Sequence, residues 1–375
     1  MQCDYFSDGR CASCTLMGVP YQRQLAEKQR AAATALAAAF NESSWLEPFS
    51  SPPSGYRNKA KWVIGGRPTE PTIGILDGSG RVTDLRHCGI CEPRLRESFG
   101  PLADFVGGTG LPPYNVPRRT GELKNLIITV SPAGELMVRF VVRARADVAP
   151  IAERLPALRQ ALPQLRVASV NIHPEHKAVL EGSDEVILTE QQTLPMTLNG
   201  ITLQLRPQGF FQTNSAVAAG LYRQAGAWAD ELQPTSVLDM YCGVGGFALH
   251  CAPRSATSIR GVEISDEAVA GARQSAGDRP GPERFTFAGG DAAAVDTAAD
   301  LVIVNPPRRG IGTELAHALN ASPAAHVLYS SCNVDSLAKD LAAMPALRVR
   351  SARLFDMFPQ TRHSEVLVLL ERAGG

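Results

Sequence analysis

Two rhythms of apolar and polar positions divide the chain. From about residue 201, short apolar runs alternate with helical stretches. Residues 210–232 read as helix, and strands are expected at residues 236–239, 259–263, 285–288, 301–304 and 325–329, with helices between. This alternation predicts a doubly wound α/β sheet. Residues 348–355 and 366–370 follow with no helix between them, so the sheet should end in an antiparallel hairpin. Before residue 200 the pattern is α+β. Residues 1–20 are irregular, and residues 21–40 carry the Gln, Glu, Lys, Arg, Ala and Leu of a surface helix. Pro48, Pro52, Pro53 and Gly55 mark a loop. Residues 56–90 read as strands and turns, 126–130 and 136–142 as a hairpin, 151–162 as a helix, and 167–172 and 185–188 as strands. The pattern gives two domains, residues 1–200 and 201–375.

Composition adds little beyond exclusions. Lys+Arg and Asp+Glu are equal at 37 each, so a polyanionic partner would have to meet local basic patches. Three are visible: Arg57, Lys59 and Lys61; Arg118, Arg119 and Lys124; Arg139, Arg143 and Arg145. The start has neither a basic n-region nor an apolar h-region, and no run is long enough to span a bilayer. A cytoplasmic, monomeric protein is expected, with no membrane partner.

The candidate chemistry sits at strand ends, where open α/β sheets collect their ligands. Residues 237–239 feed Cys242-Gly243-Val244-Gly245-Gly246, a glycine turn that lets backbone approach a ligand. Glu263 ends the next strand, twenty residues after Gly243 (263 − 243 = 20), where a ribose partner is expected. Asp291 ends the third and could bond an adenine amine. Gly243, Gly245 and Ala248 also satisfy G-x-G-x-x-A, so a dinucleotide-dependent dehydrogenase competes. Asn305-Pro306-Pro307 favours S-adenosylmethionine instead, since paired prolines force an extended turn that presents the Asn305 amide to a planar ring. Cys332, in Tyr329-Ser330-Ser331-Cys332-Asn333, closes a strand as a candidate nucleophile.

Cys11-Ala12-Ser13-Cys14 and Cys88-Gly89-Ile90-Cys91 form two C-x-x-C pairs, which alone would read as a zinc site with four cysteine ligands. Cys242 and Cys251 read as packing residues.

Taken together, several motifs resemble the RNA (uracil-C5)-methyltransferases. They are residues 208–214 (Gln-Gly-Phe-Phe-Gln-Thr-Asn), 239–246, Asn305-Pro306-Pro307-Arg308-Arg309-Gly310, residues 329–333, and the run from Phe355 through Asp356, Phe358, Pro359, Gln360 and His363 to Glu365. Residues 55–61 and the early cysteines match as well. The similarity is strongest to the branch acting on 23S ribosomal RNA, which also starts at the cysteines with no preceding RNA-binding β-barrel and carries Asn at the position of Asn305. Ser336 and Ser364 depart from the commoner residues at their positions.

The resemblance implies a Rossmann-like, S-adenosylmethionine-dependent methyltransferase domain behind an N-terminal α+β domain carrying an iron–sulfur cluster. It implies Cys332 as the nucleophile that adds to uracil C6 and Glu365 as the base that removes the C5 proton. Gln212, Tyr241, Glu263 and Asn305 would contact the cofactor together with Gly243 and Asp291. Cys3, Cys11, Cys14 and Cys88 would hold a [4Fe-4S] cluster, with zinc the alternative and Cys91 a bystander. The implied partner is 23S ribosomal RNA. A tRNA substrate and a non-enzymatic iron–sulfur protein that binds RNA or senses redox state are the remaining alternatives.

Overall fold

Strands whose every residue is buried make the centre of the first sheet. β1 (Lys59–Arg67), β2 (Glu70–Leu76), β3 (Val82–Asp84), β4 (Leu123–Val130), β5 (Leu136–Val142), β6 (Leu165–Ile172) and β7 (Asp184–Ile187) form it in the order β3-β2-β1-β4-β5-β6-β7. β4 and β5 are buried throughout, as strands covered on both faces must be. All neighbours are antiparallel except β5 and β6, which the helix Val148–Ala161 connects as a crossover. The expected hairpin joining β4 to β5 is present.

The computed structural model describes residues 1–39, 44–176 and 181–372. Its contacts group Met1–Met17 with Pro53–Met196, and Gly18–Pro52 with Thr197–Gly375. The sequence reading placed a single boundary near residue 200. Residues 18–52 instead belong with the second unit, because the helix Tyr21–Ala35 is not a surface helix there. It buries Gln24, Leu25, Lys28 and Ala32. Lys28 Nζ donates to Asp356 Oδ1 at 2.6 Å and to the Phe358 carbonyl at 3.0 Å. Gln24 and Gln360 exchange bonds, each at 3.0 Å. Phe40, the expected end of that helix, lies outside the described residues.

A short ribbon of β8 (Leu194–Leu198) and β9 (Ile201–Leu205), which the sequence did not suggest, precedes the second unit's sheet. That sheet contains β10 (Ser236–Met240), β11 (Ser258–Glu263), β12 (Phe285–Gly289), β13 (Leu301–Val304), β14 (His326–Ser331), β15 (Leu347–Phe355) and β16 (Glu365–Arg372). Their order is β12-β11-β10-β13-β14-β16-β15. The first five run parallel, while β16 is antiparallel to both β14 and β15. The doubly wound reading and the terminal hairpin therefore hold, with the last strand inserted ahead of its predecessor. The helix expected from residue 210 begins at Ser215, because Asn214 is its N-cap and accepts from the Val217 amide at 3.2 Å. Residues 210–214 stay extended in front of it. No helix among the described residues is long and apolar enough to cross a membrane.

Candidate active site

β10 ends in a turn that folds its own backbone into a ligand cradle. Tyr241 takes a φ of 63° despite its side chain, and Gly245 a φ of 83°. Gly246 has no room for more than hydrogen, since a Cβ there would overlap the Tyr222 hydroxyl. Glu263, at the end of β11, accepts from the Gly243 amide at 3.1 Å and the Ser265 amide at 3.0 Å. The cleft in front of this turn is lined by Phe210, Gln212, Tyr241, Gly243 and Asn305. Four of the residues expected to hold a cofactor, Gln212, Tyr241, Gly243 and Asn305, thus line one cleft, and Glu263 bonds the Gly243 amide beside it. Asp291 follows β12 and lies near enough for its charge to raise the Tyr241 phenol, after burial.

Asp239 lies fully buried at the end of β10, just ahead of the glycine turn. One carboxyl oxygen accepts from the Ala248 amide at 2.8 Å, and the other is buried with no partner. Burial, with Glu263 adding, pushes its carboxyl up to about 8. An orphaned carboxylate oxygen favours an arriving cation.

Cys332 lies just past the end of β14, half-buried. Glu365 opens β16, which pairs with β14 through Ser331 and Val366, so antiparallel register sets the carboxylate across from the thiol. Glu365 is buried, and burial pushes its carboxyl up to about 7 against a 2.5 Å hydrogen bond donated by Ser330 Oγ. Burial, and then the Glu365 charge, raise the Cys332 thiol, while the Arg308 guanidinium opposes them.

The loop carrying Asn305-Pro306-Pro307-Arg308 is strapped onto the Cys332 turn. Asn333 Nδ2 and Ser336 Oγ donate to the Arg308 carbonyl at 3.1 and 3.2 Å. Asp340 accepts from Tyr329 Oη at 2.5 Å and from the Ile311 amide at 3.0 Å. Arg308 in turn meets His363 Nδ1 at 3.1 Å. Sequence reading missed Ser330, Arg308 and Asp340 as members of this site. Their proximity in the fold brings them out, although Ser330 and Arg308 lie within motifs it singled out.

In the first unit, the N-terminal thiols act on one another. Burial, followed by Cys88, Cys11 and Cys3, pushes the Cys14 thiol up to about 12. Cys91 donates to Cys88, holding that thiol down at about 6 and its own well up. Among the described residues no group of three or more His, Cys, Asp or Glu side chains is placed to hold a metal ion. The four thiols expected to hold a cluster nonetheless share one neighbourhood, since Cys3, Cys11 and Cys88 act on Cys14.

Most of the expected basic patches are neutralised. Arg139 is buried between Glu181 and Glu185, Lys61 pairs with Glu181 at 3.3 Å, and Arg145 pairs with Asp184 at 2.8 Å. Arg143 faces Glu122 at 3.6 Å, and Lys124 Nζ donates to the Glu175 carbonyl at 2.6 Å. Burial pulls the Lys59 amine down to about 8. Arg118 and Arg119 remain exposed. Of the aromatics, Phe210 is 64% exposed and Phe211 is core, while Cys242 and Cys251 are buried as packing residues.

Residues 291–373 match the model of the tRNA (Uracil-5-)-methyltransferase family, and residues 228–331 the Methyltransferase small domain. The chain is 46% identical to the 23S rRNA (uracil(747)-C(5))-methyltransferase RlmC of Yersinia enterocolitica over 99% of both chains. It is 45% identical to the protein of that name from Photorhabdus laumondii, again over 99% of both. Among solved structures it is similar to the Pyrococcus abyssi tRNA (uracil-54, C5)-methyltransferase in complex with S-adenosyl-L-homocysteine. The TM-score is 0.80 at 25% identity, covering 95% of this chain and 85% of that one.

Proposed function

The chain belongs to the RNA (uracil-C5)-methyltransferase family, and from that premise we propose that it methylates C5 of a uridine in 23S ribosomal RNA, the one numbered 747 in its relatives' names. It is an enzyme with an α/β, Rossmann-like methyltransferase fold that uses S-adenosylmethionine. A dehydrogenase has no place in this family, and the glycine turn serves a different nucleotide.

The observation that carries the mechanism is the meeting of Cys332 and Glu365 across β14 and β16. Uracil C5 is a poor nucleophile until a thiolate adds to C6 and pushes electron density onto it. Cys332 supplies that thiolate, and the positive charge of Arg308 favours its ionised form. S-adenosylmethionine, when bound against Glu263, Gln212, Tyr241, Asp291 and Asn305, supplies an electrophilic methyl group. Glu365 then takes the proton from C5, and the thiolate leaves as the C5–C6 double bond reforms. A carboxyl poised near neutrality suits a base that must accept and later release that proton.

Cys3, Cys11, Cys14 and Cys88 would hold the [4Fe-4S] cluster of the first unit, drawn together around Cys14. Its place is structural, tying residues 1–17 to the turn that bears Cys88. Broad visible absorption of anaerobically purified protein supports the cluster; colourless, zinc-loaded protein refutes it.

Methyl transfer from labelled S-adenosylmethionine to undermodified 23S ribosomal RNA, with mapping of the product, tests the activity. Cys332→Ala should abolish both turnover and the covalent RNA adduct, whereas Glu365→Gln should let the adduct accumulate. Full activity in the alanine variant would remove the nucleophile assignment.

A further inference from the structure

Glu365 has to act as a base from a position that water hardly reaches, since it is 3% exposed. Its side-chain hydrogen bond comes from Ser330, itself fully buried on the neighbouring strand. Ser330 stands two residues before Cys332, and strand alternation places both side chains on the same face of the sheet. Register sets Ser330 opposite Leu367, so Glu365 is its diagonal neighbour, within reach of a short hydroxyl.

We propose that Ser330 is a positioning residue for adduct resolution: its hydroxyl holds one oxygen of Glu365 and leaves the other free to take the C5 proton. This rests on the reading of Glu365 as the base. In the step it serves, the carboxylate takes the proton from C5. The C5–H electron pair becomes the C5–C6 double bond, and the C6–S pair leaves with the Cys332 sulfur. No further reactant is needed.

The Ser330 hydroxyl donates to the same oxygen before the transfer, when it belongs to a carboxylate, and after it, when it is the acid's carbonyl oxygen, so the carboxyl stays anchored throughout. The bond also opposes the burial that raises Glu365, keeping more of it ionised near neutral pH. The other ionisable groups facing Glu365 are the Cys332 thiol and, from the helix Ser215–Leu232, the Tyr222 phenol, both of which feel its charge. Arg308 acts on Cys332 from the loop after β13. Among these groups Ser330 is the one that hydrogen-bonds the carboxyl.

The test separates formation of the protein–RNA adduct from its decay across a pH series, in Ser330→Ala, Ser330→Thr and Glu365→Gln. In Ser330→Ala, adduct formation should stay within about twofold of the parent, while decay slows on the order of tenfold. The pH midpoint of decay should move to higher pH by roughly one unit, because the lost donor had favoured the ionised carboxyl. Ser330→Thr should restore both. Should the alanine variant fail to fold, Ser330→Cys keeps the volume, weakens the donor and should shift the midpoint in the same direction. An unchanged decay rate and midpoint overturn the proposal, as does a slowing that is the same at every pH and that threonine does not relieve. If Glu365→Gln accumulates no adduct, the base assignment fails instead; if it does while Ser330→Ala matches the parent, only the role of Ser330 fails.

Discussion

Replacing Lys28 by methionine should destabilise the second unit far more than any surface charge change could. The Lys28 side chain is 3% exposed and that of Asp356 is 0% exposed, and their contact is 2.6 Å. Burial lowers the lysine's pKa, and the Asp356 charge resists that shift, so the pair depends on mutual compensation. Methionine keeps the apolar stem but strands a carboxylate in the core and strips a donor from the Phe358 carbonyl. Breaking a buried pair from one side costs about 3–5 kcal/mol. For a unit of roughly 200 residues each kcal/mol moves Tm by about 2–4 °C, which gives a fall of about 6–20 °C. Thermal unfolding of Lys28→Met, Asp356→Asn and the double variant measures it, and the double variant should recover part of the loss because the stranded charge is gone. A Lys28→Met protein melting within about 2 °C of the parent would refute the reasoning.

Two further outcomes follow from the site. Gly310→Ala should lower activity and cost more than about 1 kcal/mol, because Gly310 has a φ of 85° and a Cβ there would collide with the Asp340 carboxylate that secures the loop; thermal melts and methyl transfer of the variant check this. Glu263→Ala should weaken S-adenosylmethionine binding on the order of tenfold while the Cys332 site stays intact, a split that equilibrium binding and adduct formation at saturating cofactor would reveal.

The parallel half of the second sheet was legible because each strand is an apolar run punctuated by a loop with its own chemistry. Leu301–Val304 is a strand with the expected bounds, and His326–Ser331 extends past Tyr329 only to bring Ser331 into register with Val366. Cys332 and the glycine turn stood out through residue type and position, whereas Glu365 entered only through the family resemblance. The helix Tyr21–Ala35 did not, since its polar composition hid a face whose Lys28 and Gln24 find partners more than three hundred residues away. Arg139 misled for the same reason. A charged residue on an alternating strand reads as solvent-facing unless Glu181 and Glu185 are known to close over it. Long-range compensation of buried charge leaves no local signature.

The insertion of β16 between β14 and β15 also orders events in time. β15 reaches the rest of the sheet through β16, and Glu365 is the first residue of that strand. A chain still being synthesised would carry Cys332 before the strand that delivers its partner could be laid down. The thiol is thus made early and the base arrives with the closing strand. On the proposed mechanism, a truncated copy would carry the thiol without the carboxylate that resolves its adduct.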